Sequence, residues 1–207
     1  MLQFFAIQER DILAQNFLLF ETIKIENGRI FHIDYHNKRA NRSRLELFGS
    51  KEALNLSDYI EPPKNGLFRC KIWYGESFGK TEYFRYSPRV VKVLKIIESD
   101  IEYPYKYSDR KEIDRLFAKR ESADDILIVK NGYIRDTSIA NIAFFDSEKW
   151  ITPNTPLLKG ICRERLIDEG KIIEEEIKTT DLKFFKKYAL LNAMTEFKII
   201  ENGIILQ

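Results

Sequence analysis

Short apolar runs rich in β-branched and aromatic residues, broken by turn residues, recur along the whole chain and predict strands at Gln3–Gln8, Leu67–Trp73, Thr81–Tyr86, Val90–Ile97, Ile142–Phe145 and Ala189–Asn192. Asn-Gly pairs stand at Asn27-Gly28, Asn131-Gly132 and Asn202-Gly203, each flanked by such residues. Asn-Gly suits the left-handed backbone of a tight hairpin turn. The three pairs therefore predict hairpins joining Leu18–Glu26 to Arg29–Ile33, Asp125–Lys130 to Tyr133–Asp136, and Phe197–Glu201 to Ile204–Leu206. Helices are fewer. Asp34 caps one that runs to Phe48 and stops at Gly49, and Ser108 or Asp109 caps Lys111–Lys119, with Ile113, Leu116 and Phe117 on one face. A third begins near Gly160, runs to about Glu169 and ends at Gly170, and Asp181 caps a short turn through Lys187.

This order is α+β and not an alternating βαβ sheet. Pro62-Pro63-Lys64-Asn65-Gly66 is a loop, and the domain boundary falls near Glu102–Ser108, where a strand-like run passes through Pro104 into a polar segment. The division is an N-terminal α+β lobe over 1–103 and a C-terminal α+β lobe over 104–207, with a cleft between them. No solenoid repeat or low-complexity tract interrupts either.

Composition narrows the class. With 207 residues, 44% hydrophobic and 32% charged, the chain can bury a sizeable core and is not a disordered tail. Lys+Arg 34 against Asp+Glu 32 leaves +2, dispersed along the chain, so no global field points to nucleic acid or an anionic membrane. Cys70 and Cys162 are isolated, which argues against a disulfide framework and a zinc site and fits a cytoplasmic protein. Glu9, Arg10 and Asp11 follow the first apolar residues too soon for a signal peptide, and no apolar run approaches the ~20 residues that span a bilayer.

Four segments carry candidate chemistry. Lys38, Arg39, Arg42 and Arg44 crowd one helix, which either grips phosphate or is a solvated basic face. Lys106 sits between Tyr105 and Tyr107 at the lobe boundary; a partly desolvated amine there is a better nucleophile and a Schiff-base candidate, where an exposed one is an ordinary loop lysine. Asp136-Thr137-Ser138-Ile139-Ala140-Asn141 puts a carboxylate five positions before an amide, to hold a heterocycle or to make turn hydrogen bonds. Thr152-Pro153, then Leu158-Lys159-Gly160-Ile161-Cys162-Arg163, leads from a strand end to a helix start whose N–H groups can bind phosphate.

In this order the segments resemble those of the class IV aminotransferases, the fold-type IV enzymes that use pyridoxal 5′-phosphate (PLP). Phe20–Gly28 is similar to the family's opening strand and turn, His36-Asn37-Lys38-Arg39 to its His-x-x-Arg helix start, and Tyr105–Arg110 to the segment of the cofactor lysine. Asp136–Asn141 resembles the acidic-x4-Asn loop, and Gly160–Arg163 its Gly-Ile-Thr-Arg element. The resemblance spans roughly residues 18–200. It implies a two-lobed homodimer with PLP in the interlobe cleft and Lys106 as the catalytic lysine. Arg39, Gly160, Ile161 and Cys162 are then on the phosphate, Asp136 on the pyridine nitrogen, and Asn141 and Ala193 beside the cofactor. Substrate candidates are Thr22, Arg85, Arg89 and Asn192, the arginines holding a dicarboxylic substrate. The family usually has Glu at Asp136 and commonly Thr at Cys162, and its chains are typically longer, which implies a trimmed substrate-side loop.

Two reactions share that machinery. Leu191-Asn192-Ala193-Met194 is similar to a segment of the family's 4-amino-4-deoxychorismate lyases, which release pyruvate and leave 4-aminobenzoate, and this reading is favoured. Glu196 matches the alternative, a branched-chain or D-amino acid transaminase. The substrate is then an amino acid or an aminodeoxychorismate-like compound, with no nucleic acid, membrane or metal involved. A non-enzyme alternative is an inactive relative that binds nucleic acid or a partner through the 38–44 helix.

Overall fold

In the computed structural model residues 19–206 are described; the expected strand at Gln3–Gln8 and the first residue of the Leu18–Glu26 strand lie outside them. Contacts divide the chain into two units, one running to Ser87 and taking in Tyr105–Arg110, the other comprising Pro88–Pro104 and the chain from Lys111 onward. The division expected at 103/104 follows the sequence, whereas the contacts follow strand pairing, which ties residues 93–98 to residues 125–129.

The first unit is a four-stranded sheet of order β2-β1-β3-β4, from β1 (Leu19–Glu26), β2 (Arg29–Ile30), β3 (Leu67–Tyr74) and β4 (Phe78–Arg85). Every pairing is antiparallel. Asn27 and Gly28 both adopt positive φ, 50° and 81°, as the tight turn requires. One face of the sheet carries Leu19, Ile23, Ile25, Cys70, Ile72 and Tyr74 into a core that also takes Ala40. Glu21 lies in that same fully buried row. The register pairs Phe20 with Trp73 and Thr22 with Lys71 on the other face.

Helix α1 (Ile33–Phe48) is entered through His32 in the left-handed conformation, so Asp34 sits in the first turn instead of capping it. Gly49, at φ 69°, ends the helix as expected. The buried stripe of α1 is His36, Arg39, Ala40, Ser43 and Arg44, an inward face that is mostly polar. The basic cluster is thus divided. Arg44 donates to the carbonyls of Glu52 and Glu76 and to Asn41 Oδ1, fastening loops, while Lys38 is exposed. With Arg39 and Arg44 both buried, the 38–44 helix presents no continuous basic face to a nucleic acid.

The second unit holds β5 (Val93–Glu98), α2 (Lys111–Ala118), β6 (Asp125–Lys130), β7 (Tyr133–Thr137), β8 (Asn141–Phe145), β9 (Trp150–Pro153), α3 (Ile161–Asp168), β10 (Ile173–Glu175), β11 (Lys187–Asn192), β12 (Glu196–Glu201) and β13 (Ile204–Leu206). They form sheets of order β13-β5-β6-β7 and β10-β9-β8-β11-β12. Leu127, Val129, Ile134, Ile142, Phe144, Tyr188 and Leu190 pack one shared core between these sheets. Asp181 lies inside the 3-10 turn Thr179–Phe184, its carboxylate accepting from the Lys178 N–H at 2.8 Å.

The mixed α+β architecture is as expected, with one hairpin and one strand different. Asn131 and Gly132 take φ 53° and 77° and turn β6 into β7. Asn202 is left-handed but Gly203 is not, so the two-residue turn is not completed. β13 instead leaves β12 and pairs in parallel with β5. A Cβ at Gly203 would come within 2.3 Å of the Tyr188 ring, so close passage of the backbone is what requires this glycine. The sequence reading lacked β10, a short, polar edge strand that pairs in parallel with β9. No described helix is long and apolar enough to cross a membrane. Among the described residues no three His, Cys, Asp or Glu side chains are grouped to hold a metal.

Candidate active site

In the first unit the buried carboxylate of Glu21 organises the polar stripe of α1. Arg39 Nε donates to Glu21 Oε1 at 2.8 Å and its Nη2 to Oε2, while His36 Nδ1 donates to Oε2 at 2.5 Å. His36 and Arg39 lie one helical turn apart, so both reach the strand from one side. Burial by itself would raise the Glu21 carboxyl, but the Arg39 charge and the His36 hydrogen bond outweigh it and hold the group at about 2. Burial pushes the His36 imidazole down in spite of Glu21, so this histidine is neutral and Arg39 is the counter-cation.

Lys106 is treated differently. The Phe20 N–H donates to its carbonyl at 3.0 Å and Leu19 bridges Tyr107, which seats the 105–107 segment beside β1. The Lys106 ammonium stands 4.6 Å from the Phe20 ring centroid and makes no hydrogen bond or ion pair among the described residues. Burial, then the neighbouring Arg39 charge, push it down to about 7. At neutral pH a large fraction of this lysine is the free amine.

In the second unit Asp136, on β7, is fully enclosed. Its Oδ1 accepts from Asn141 Nδ2 and its Oδ2 from the Leu158 N–H, at 2.7 and 2.9 Å. Burial nonetheless pushes the carboxyl up to about 7, outweighing those hydrogen bonds and the Arg163 charge. Asn141 Nδ2 also donates to the Leu158 carbonyl at 2.7 Å. A Cβ at Gly160 would lie 2.0 Å from Asn141 Oδ1, so this glycine is required by the amide that braces Asp136.

Gly160 opens α3 without a side-chain cap, leaving the first-turn N–H groups without intrahelical acceptors. The Cys162 side chain faces Ala143, Leu166, Ala189 and Leu191, and burial raises its thiol to about 11; only the backbone N–H at 162 is suited to an anion. Arg163 Nη2 donates to the Pro153 carbonyl at 2.7 Å and to Glu174 Oε1, fastening the helix start to the end of β9. This accounts for the Thr-Pro and Gly-x-x-Arg elements occurring together.

The substrate candidates separate. Thr22 lies on the outer face of β1, opposite Lys71. Arg85 pairs in register with Phe68, on the other face of the sheet, and stacks over that ring at 5.4 Å. Arg89 Nη2 donates to the buried Asp125 at 2.7 Å. Asn192 Oδ1 accepts from the Met194 and Thr195 N–H groups, both at 2.9 Å, which makes it the organiser of the β11–β12 turn that carries Ala193. Sequence reasoning missed Glu21 and Lys71. A signal existed for Glu21, a lone carboxylate in an alternating row of Leu and Ile.

The chain is 43% identical over 182 residues to an uncharacterized protein of Haemophilus influenzae, covering 85% of this chain and 97% of that one. A crystal structure of a provisionally named 4-amino-4-deoxychorismate lyase from Haemophilus somnus is 35% identical, with a TM-score of 0.80 over 86% of this chain and 96% of that chain. The family pattern Amino-transferase class IV matches residues 109–201. The chain belongs to the class IV aminotransferases. A PLP-bound hypothetical aminotransferase from Mycobacterium tuberculosis shares the class IV fold, with a TM-score of 0.75 over 91% of this chain and 81% of that chain at 14% identity. As a class IV protein the chain falls among PLP-dependent enzymes that act on small amino compounds.

Proposed function

We propose that this class IV enzyme removes pyruvate from 4-amino-4-deoxychorismate and leaves 4-aminobenzoate, with Lys106 as its catalytic residue. The observation that carries the reading is the Lys106 amine, seated over Phe20, without an ion pair among the described residues and held at about 7. PLP supplies an aldehyde that condenses with amines and a ring that accepts the electrons released when an adjacent C–H loses its proton.

The residues fit that group. Asp136, raised to about 7 by burial, suits a protonated pyridine nitrogen, and Asn141 holds its Oδ1. The first-turn N–H groups of α3, at Ile161 and Cys162, suit phosphate oxygens. In the first unit Arg39, oriented by Glu21, is a guanidinium suited to phosphate. The Asp at 136, where the family more usually has Glu, is held by Asn141, and Gly160 leaves room for that amide.

Lys106 Nζ then moves the protons. Near its own pKa an amine both accepts and donates a proton readily. In the lyase reading Nζ removes the proton from the amine-bearing ring carbon and a proton is delivered to the enolpyruvyl methylene as pyruvate departs. In a transaminase Nζ would return the proton to the cofactor carbon instead. The similarity to the Haemophilus somnus chain favours the lyase, and Glu196 favours the transaminase. The working assembly in this reading is a cytoplasmic homodimer.

The test is a turnover assay with 4-amino-4-deoxychorismate and no added keto acid. The lyase releases pyruvate and 4-aminobenzoate in equal amounts over many turnovers. A transaminase gives no 4-aminobenzoate and stops after one stoichiometric half-reaction with an amino acid until a keto acid is supplied.

A further inference from the structure

The outer face of the first unit's sheet holds a second lysine that is ion-paired to no carboxylate among the described residues. Lys71, on β3, places its Nζ 3.5 Å from the Trp73 ring centroid and 4.3 Å from that of Phe20. Lys106 stands over the same Phe20 ring, at 4.6 Å. Two ammonium groups thus share one aromatic floor, and Thr22 lies opposite Lys71 in the strand register.

The charges around them do not cancel. Arg69, Lys80 and Arg110 all bear on Lys71 as further cations, and Glu82, its partner across β4, is the carboxylate that opposes them. Glu82 is already engaged, with Oε1 accepting from Lys80 Nζ at 3.0 Å and Oε2 from Trp73 Nε1 at 2.7 Å. Lys71 itself makes no hydrogen bond or ion pair among the described residues. Burial, then Arg69, lower its ammonium to about 8, against about 7 for Lys106. Both values lie close to neutrality, so each amine is charged part of the time, Lys71 the more so.

We propose that Lys71, with Thr22 beside it, binds a substrate carboxylate remote from the reacting amine, so that this enzyme takes dicarboxylic substrates. The role expected of Arg85 and Arg89 then belongs to a lysine on the Phe20 face. This inference rests on the reading of Lys106 as the reacting lysine. An ammonium over aromatic rings is directed toward a ligand without being quenched, because the rings exclude water and offer only weak attraction.

The experiment uses PLP-loaded protein and chorismate, which carries both carboxylates of the amino compound and lacks its amine, with benzoate as the monocarboxylate control. Binding is read from the fluorescence of Trp73, one of two tryptophans in the chain. Wild type should bind chorismate well above benzoate. Lys71→Met should weaken chorismate binding by roughly tenfold to a hundredfold, the loss expected for one charge-assisted hydrogen bond. Lys71→Arg should recover most of it, with PLP absorbance unchanged throughout, and Lys71→Gln serves if the methionine variant does not fold. No preference of wild type for chorismate, or equal affinity in the Met or Gln variant, overturns the proposal. A wild-type protein that retains no PLP, yet shows the Lys71-dependent binding, would instead contradict the reading of Lys106.

Discussion

Lys106 and Asp136 reach about the same pKa, near 7, from opposite directions and by different routes. Asp136 has hydrogen bonds to both oxygens and still resists ionisation, because its burial outweighs them. Lys106 has no polar partner among the described residues and loses its proton to burial and to Arg39. Glu21 shows that the same protein can hold a buried charge when it supplies a counter-charge: with Arg39 at hand its carboxyl stays at about 2. Neither residue is ion-paired among the described residues, and burial is the largest influence on both. In the PLP reading a protonated pyridine nitrogen would supply a cation for Asp136, and the free amine of Lys106 would be the nucleophile.

The comparison breaks most severely at Glu21. Glu21→Gln leaves Arg39 buried without its anion, and removing one partner of such a pair costs about 3–5 kcal/mol. Urea unfolding at pH 7 should register that loss. The wild-type contribution has a depressed folded pKa, so it is complete above 4.5 and disappears as pH falls from 4.5 through about 2. Wild type and Glu21→Gln should therefore converge in stability toward pH 2. An unchanged gap there would show that the interaction is not ionic.

A smaller effect is expected at Asp136. Asp136→Asn keeps an acceptor for Asn141 but cannot carry a negative charge, and turnover should fall by roughly a hundredfold while PLP affinity falls much less. In protein stripped of PLP the same substitution should be stabilising. The raised carboxyl supports folding below pH 3.8, and that support is lost as pH rises through about 7. Thermal melting should therefore show the Asn variant above wild type at pH 8 and level with it at pH 4. A variant below wild type at pH 8 would mean that Asp136 is ionised and paired in the folded protein.

The parts of this account legible in sequence are those set by local chemistry. Asn27-Gly28 and Asn131-Gly132 turn as their residues require, and the order of the Arg39, Lys106, Asp136 and Gly160 segments identified the family. What escaped depended on partners far along the chain. The bond of Arg89 to Asp125 joins residues 36 positions apart. Lys71 gains meaning only from the register that sets it beside Thr22 and from the rings of Phe20 and Trp73. Asn202-Gly203 carries the same letters as the other turns, but parallel pairing of β13 with β5 overrides them.

Borohydride reduction of PLP-loaded protein, followed by peptide mass mapping, tests the central claim most directly. The account predicts a yellow protein that bleaches on reduction, with the pyridoxyl phosphate mass on the peptide containing Lys106 and none in Lys106→Ala. A label on Lys71 or any other lysine in wild type, or an undiminished label in Lys106→Ala, would contradict it.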